Sequence, residues 1–156
     1  MKLLPVSPAD RPEVERLLAG TPSFNPADRM VALELVDDVL AKGGQSDYRI
    51  VCGRVGESLA GYVCYGQIAL TEAAWDLYWI VVDPAFQGGG VGRRLLEVAE
   101  AACRAEGGSL LFAETSSLPD YAPARAFYEA TGFNLAAAIP DFYAPGNDKL
   151  IYGKKL

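Results

Sequence analysis

The sequence has no histidine and only three cysteines, Cys52, Cys64 and Cys103. The commonest zinc ligand is therefore missing, and so is the usual basic partner of a nucleophilic cysteine or serine. The cysteines are odd in number, widely spaced and set in apolar patterns without a Cys-x-x-Cys pair, so buried reduced thiols are expected and no metal site is. No stretch reaches the roughly 18 consecutive apolar residues of a membrane span. The N-terminus, Met1-Lys2-Leu3-Leu4-Pro5, has one charge and no sustained apolar core, unlike a secretory signal. Positive charge is also scarce, with 14 Lys and Arg against 20 Asp and Glu and a net charge of −6. Nucleic-acid binding, driven by phosphate contacts, needs the opposite balance. The expectation is a cytoplasmic protein with neither a nucleic-acid nor a membrane partner.

What is present is an ordinary globular composition. Hydrophobic residues make up 51% and charged residues 22% of 156, enough for one compact domain over residues 1–156. The most informative stretch runs from Leu77 to Leu96. Leu77 to Val82 is apolar, β-branched or aromatic and reads as a strand buried on both faces or nearly so. Pro84 ends it, and Gln87 to Gly92 place four glycines immediately before a helical pattern opening at Val91. Glycines let a backbone approach a ligand closely, and the first turn of a helix adds unpaired N–H groups and a positive dipole end. Strand, loop and helix start together form a phosphate cradle.

Two familiar phosphate loops fail here. The nucleoside-triphosphate loop requires Gly-Lys-Ser/Thr, but Arg93-Arg94 follows Gly92. The dinucleotide spacing Gly-x-Gly-x-x-Gly breaks at Arg93 when counted from Gly88 and at Leu95 when counted from Gly90. A flavin or nucleotide fold is disfavoured accordingly. The pattern that fits is Gln-x-x-Gly-x-Gly, at Gln87, Gly90 and Gly92. Following a strand that ends in Val-Asp-Pro, it resembles the coenzyme-A loop of the GNAT superfamily of acyl-CoA-dependent N-acyltransferases.

A second segment carries the same resemblance. Tyr121-Ala-Pro-Ala-Arg125-Ala-Phe127-Tyr128-Glu129-Ala-Thr-Gly132-Phe133 is similar to the family's Asn-x-x-Ala-x-x-Phe/Leu-Tyr-Glu-x-x-Gly-Phe signature, with Tyr121 standing where asparagine is common. Along the chain, hydrophobic periodicity and turn residues predict an edge strand at 2–6 and a helix ending at Gly20. A second helix is capped by Asn25 and has an apolar face of Met30, Leu33, Val36, Val39 and Leu40. Strands follow at 48–55 and 59–70, then the central strand from Trp75, the helix stopped at Gly107-Gly108, a strand at 110–115 and a helix at 122–131. A terminal pair at 133–139 and 149–154 is joined by an acidic, aromatic, turn-rich connection. This order is similar to the whole GNAT domain. It implies an α/β fold with a mixed, mostly antiparallel sheet of about six to seven strands and about four helices.

The resemblance also implies a chemistry: direct attack of an amine on the acetyl carbonyl of acetyl-CoA. Pantetheine would pair with the backbone of Ile80, Val81 and Val82. The pyrophosphate would rest on N–H groups of Gln87, Gly88, Gly89, Gly90, Val91, Gly92 and Arg93. Tyr121 would reach the pantetheine arm and Arg125 the adenosine phosphate. Tyr128 would serve the leaving thiolate as a proton donor. The amine must lose a proton, and without histidine the base is a carboxylate, a tyrosinate or water. Glu114, the one ionisable group near the end of an apolar strand, is the first choice, because burial would raise its pKa. Some protein-acetylating family members carry a catalytic glutamate there. Asp76 is second. The acceptor is an amine of a protein N-terminus, a lysine or a small molecule, drawn in by the acidic segment Asp141 to Asp148. Homodimers are common in the family. The alternative is a non-catalytic acyl-CoA-binding regulatory module.

Overall fold

The computed structural model describes residues 1–156. In chain order these form β1 (Lys2–Pro5), α1 (Arg11–Ala19), α2 (Pro26–Lys42), β2 (Arg49–Val55), β3 (Ser58–Gln67), β4 (Ala74–Val82), α3 (Val91–Ala105), β5 (Leu110–Ser116), α4 (Ala122–Ala130), β6 (Asn134–Ala144) and β7 (Asn147–Lys155). All seven strands join one sheet, ordered β1-β2-β3-β4-β5-β7-β6. Every neighbouring pair is antiparallel except β4 with β5. The α/β architecture, the mixed sheet and the four α-helices match the family fold that the sequence implied.

Two cores lie on the two faces of the sheet. Helices α1 and α2 cover one through Val14, Leu17, Leu18, Ala32 and Val36. Helix α3 covers the other through Val91, Leu95, Leu96, Ala99 and Cys103, with Tyr128 of α4 alongside. Their spacing of three and four residues is that of an amphipathic helix. Helix α2 starts in a reciprocal capping box: the Asp28 N–H donates to Asn25 Oδ1 (2.8 Å) and the Asn25 N–H to Asp28 Oδ2 (3.1 Å). Two orphan donors of the first turn are thereby satisfied. On α3, the buried Glu100 accepts from Lys154 Nζ (2.6 Å) and ties the helix to β7.

Several boundaries and faces differ from expectation. Helix α2 buries Ala32 and Val36, while Met30 is 60% exposed, and the helix also presents Asp28, Val31 and Leu35 to an open cleft. Strand β3 ends at Gln67, since Leu70 takes a left-handed turn conformation (φ 64°). The terminal hairpin is longer than predicted. β6 runs to Ala144 and β7 begins at Asn147, with a register shift between Ile139 and Ala144 absorbing Pro140 and the left-handed Asp141 (φ 54°). Strand β6 is a sheet edge and is exposed along its whole length.

Candidate active site

Two irregularities of β4 create the site. The first is a bulge: Cys64 of β3 pairs with Trp79 and Tyr65 with Leu77, so Tyr78 is an extra residue. A bulge breaks the alternation of faces and re-aims side chains. Tyr78 and Trp79 are consecutive, yet both pack on the α1/α2 side, whereas Ile80 and Val82 pack on the α3 side. The second is a parting of strands. The β4–β5 ladder runs from Ala74–Leu110 to Leu77–Ala113 and stops, although β4 continues to Val82 and β5 to Ser116. From Tyr78 onward the β5-facing backbone groups of β4 form an edge inside the sheet. The expected double-sided burial of 77–82 is corrected accordingly: Leu77 and Val81 are buried, and the other four are partly exposed.

The glycine loop stands at the end of this edge. Asp83 Oδ1 accepts from the Ala85 N–H (2.8 Å), and Gln87 Nε2 donates to the Val82 carbonyl (3.2 Å), pinning the loop to the strand. Gly88 and Gly90 both have φ 78°, a conformation that side chains disfavour. Gly92 packs so closely on α4 that a Cβ there would meet the Phe127 ring at 3.2 Å. The consecutive N–H groups from Gly88 to Arg93 donate to no protein acceptor; the next, that of Arg94, bonds Gly90 (3.1 Å). With α3 behind them and the exposed Arg93 and Arg94 beside them, they form an anion cradle. The Gln87 N–H is engaged with Pro84 (3.4 Å), so the free run begins one residue later than expected.

On the other side of the parting lies a cleft of about 720 Å³. Aromatic walls come from Phe24, Tyr48, Tyr78, Trp79, Tyr121 and Tyr143, and carboxylates from Asp28, Asp76 and Glu114. Asp76 sits one rung before the ladder stops, and its carboxylate takes part in no hydrogen bond or ion pair with the protein. Burial and the nearby Glu114 charge lift its pKa from 3.8 to about 6, opposed by Lys149. Glu114 behaves differently from expectation. Its side chain is 46% exposed, not buried as expected, and is bound to Lys149 Nζ at 2.5 Å. Lys149 in turn lies over the Phe142 ring (4.4 Å).

The other anticipated residues are placed as follows. Tyr128 is buried against Phe133 (5.4 Å), Tyr152 (5.7 Å) and Phe127 (5.9 Å). Burial pushes its phenol to about 12. Tyr121 turns toward this cleft, where its hydroxyl donates to the Ser23 carbonyl (3.0 Å) and links the start of α4 to the α1–α2 connection. Arg125 donates to the carbonyls of Ser116 (2.8 Å) and Leu118 (2.9 Å), holding the end of β5. Asp141 and Asp148 are used within the hairpin: Asp141 Oδ1 accepts from the Gly146 N–H (2.6 Å) and Asp148 Oδ1 from the Asp141 N–H (2.9 Å). From that segment it is Tyr143 and Asn147 that line the cleft. Phe24, Asp28, Tyr48, Tyr78 and Trp79 were not anticipated there. Only the bulge brings Tyr78 and Trp79 to one side, and no sequence pattern marks its position.

A family model described as the acetyltransferase (GNAT) family matches residues 14–133. The chain is 37% identical over 105 residues to a blasticidin-S acetyltransferase of Streptomyces morookaense, covering 67% of this chain and 71% of that protein. A crystal structure from Desulfovibrio desulfuricans, assigned to the GNAT family of acetyltransferases, is 42% identical with a TM-score of 0.95, covering 99% of this chain and 98% of that one. An aminoglycoside 6'-N-acetyltransferase complexed with coenzyme A shares the fold at 16% identity, with a TM-score of 0.79 and coverage of 99% and 97%.

Proposed function

The chain belongs to the GNAT acetyltransferase family and is an acyltransferase, and from that premise we propose that it moves an acetyl group from acetyl-CoA to a primary amine of a small molecule by direct attack. The observation that carries this reading is the parting of β4 and β5 between a row of free N–H groups and a carboxylate-bearing cleft. The donor fits one side. Its pyrophosphate takes the N–H groups from Gly88 to Arg93, and its pantetheine takes the unpaired edge of β4 over Ile80, Val81 and Val82. The similar aminoglycoside enzyme was crystallised with coenzyme A, which favours the same co-substrate here.

The acceptor enters from the other side. A neutral amine attacks the thioester carbon, the new C–N bond forms as the C–S bond breaks, and the nitrogen, acidified by its bond to carbon, loses a proton. Asp76 is the proposed base, since it is free of partners and has a pKa of about 6. Glu114 and Lys149 tune it rather than take the proton. Tyr128 donates a hydrogen bond to the departing sulfur. A small acceptor suits a cleft bridged by the Tyr121–Ser23 hydrogen bond, and the similar Streptomyces protein is named for a small molecule.

Thiol release from acetyl-CoA in the presence of an amine panel tests the proposal. Amine-dependent release with a mass gain of one acetyl on the acceptor is expected. Coenzyme-A binding without release for any amine would leave the chain a binding module.

A further inference from the structure

Resting on the proposed acetyl transfer, we propose that Asp28 is a second cation subsite, so that the acceptor is a dication built around a flat ring. The cleft holds three carboxylates and no lysine or arginine in its walls. Glu114 is neutralised from outside by Lys149. Asp28 and Asp76 are therefore the two negative charges that the protein leaves without a cation. Asp28 Oδ2 is held by the Asn25 N–H, and Oδ1 has no partner. Arg29, the adjacent cation, is turned away and donates to the Phe24 carbonyl (3.1 Å).

The placement of the charges selects the ligand. No three carboxylates or other ligating groups of the protein lie close enough together to hold a metal ion. The two free charges also come from different layers, Asp28 from α2 and Asp76 from β4. Two carboxylates contributed to one cleft by different layers can each take one cationic centre of a single molecule. The same cleft is walled by Phe24, Tyr78 and Trp79, with Phe24 and Trp79 in contact at 5.1 Å. Such walls favour a flat ring and attract cations through their π faces. One amine then sits at Asp76 in its reacting, neutral form while the other stays charged at Asp28.

The test compares 1,4-bis(aminomethyl)benzene with 4-methylbenzylamine, which share the ring and the reacting aminomethyl group but differ in the second charge. For the wild type, kcat/KM should favour the diamine by about tenfold or more, beyond the statistical factor of two. In Asp28→Asn, which keeps an oxygen to accept the Asn25 N–H, the preference should collapse to about that factor while the monoamine changes less than about twofold. Raising ionic strength should erode the wild-type preference as charges are screened. Calorimetric binding of both amines to wild type and variant reads the same preference without turnover. A diamine preference in binding, abolished by Asp28→Asn, supports the subsite even if neither amine is acetylated, an outcome that would fall on the transfer reading alone. Equal binding of the two amines by the wild type, or a preference untouched by Asp28→Asn, overturns the subsite.

Discussion

Asp76 and Glu114 face one cleft from the two parallel strands, on either side of the last rung joining them, and only Glu114 has a cation of its own, Lys149 at 2.5 Å. In the proposed transfer the pair divides the work. Glu114 is occupied by a lysine, whereas the unpartnered Asp76, lifted to about 6, is ionised at neutral pH and still basic enough to act. The acid limb of kcat/KM should fall near pH 6. Asp76→Asn should lower kcat/KM by about 10²- to 10⁴-fold and abolish that limb. Glu114→Gln removes a charge that raises the Asp76 pKa, so it should move the limb to lower pH with most of the plateau kept. An unmoved limb in Glu114→Gln together with an active Asp76→Asn would place the base elsewhere.

The same raised pKa has a cost in stability. In the unfolded chain Asp76 ionises from 3.8, whereas the folded protein holds the proton until about 6. The group therefore does not disfavour folding below pH 4 and does so increasingly through the pH 4–6 window, with a constant penalty above it. At full burial that penalty is about 3 kcal/mol, and a partly solvated site retains roughly half of it. Asp76→Asn should thus be more stable than wild type by about 1–2 kcal/mol at pH 8 and indistinguishable at pH 3.5. Urea melts at the two pH values check this, and a variant less stable at pH 8 would contradict it.

The donor loop allows a sharper local test. Gly90 holds φ 78° as the residue before α3, with open space around the position of a Cβ. Gly90→Ala meets no clash and pays only for the left-handed backbone, about 1–2 kcal/mol. Asn tolerates that region better than Ala. The KM for acetyl-CoA should rise about tenfold or more in Gly90→Ala and less in Gly90→Asn, with the KM for the amine unchanged in both. A rise confined to the amine would separate this loop from the donor.

The glycine loop and helix of the proposed donor half were legible in the sequence because each part is local. Gln87 to Gly92 lie between a strand and a helix, and the periodicity of Val91, Leu95 and Ala99 fixes the helix that follows. The acceptor half depends on register, which is non-local. The bulge at Tyr78 exists only in the pairing of β4 with β3, and a period-two pattern cannot place an extra residue. Glu114 looked buried within Leu110 to Thr115, but its neighbour is decided by the pairing of β5 with β7, where Ser116 opposes Lys149. Tyr121 and Arg125 lie within the second motif segment, Tyr121 where asparagine is common and Arg125 at a variable position, and each side chain is held by a carbonyl from a segment that the motif does not contain.

Tyr128 is the remaining group to which the proposed transfer gives a chemical role. With its phenol at about 12, it stays protonated across the working range. Complete transfer of its proton to a thiolate whose parent thiol has a pKa of about 8.5 would be uphill by about 5 kcal/mol. In the proposed transfer it therefore acts as a hydrogen-bond donor that lowers the cost of charge growing on sulfur, an interaction made mainly in the transition state. Tyr128→Phe keeps the packing against Phe133 and Tyr152 and removes only the hydroxyl. The expected result is a kcat lower by about 10- to 100-fold, roughly 1.4–2.7 kcal/mol. The KM for acetyl-CoA should stay within about twofold, and the plateau should drop without either limb of the pH profile moving. A variant with full turnover at every pH would remove Tyr128 from the chemistry, and a variant that instead moved a limb would make it a titrating group and overturn its role as a fixed donor.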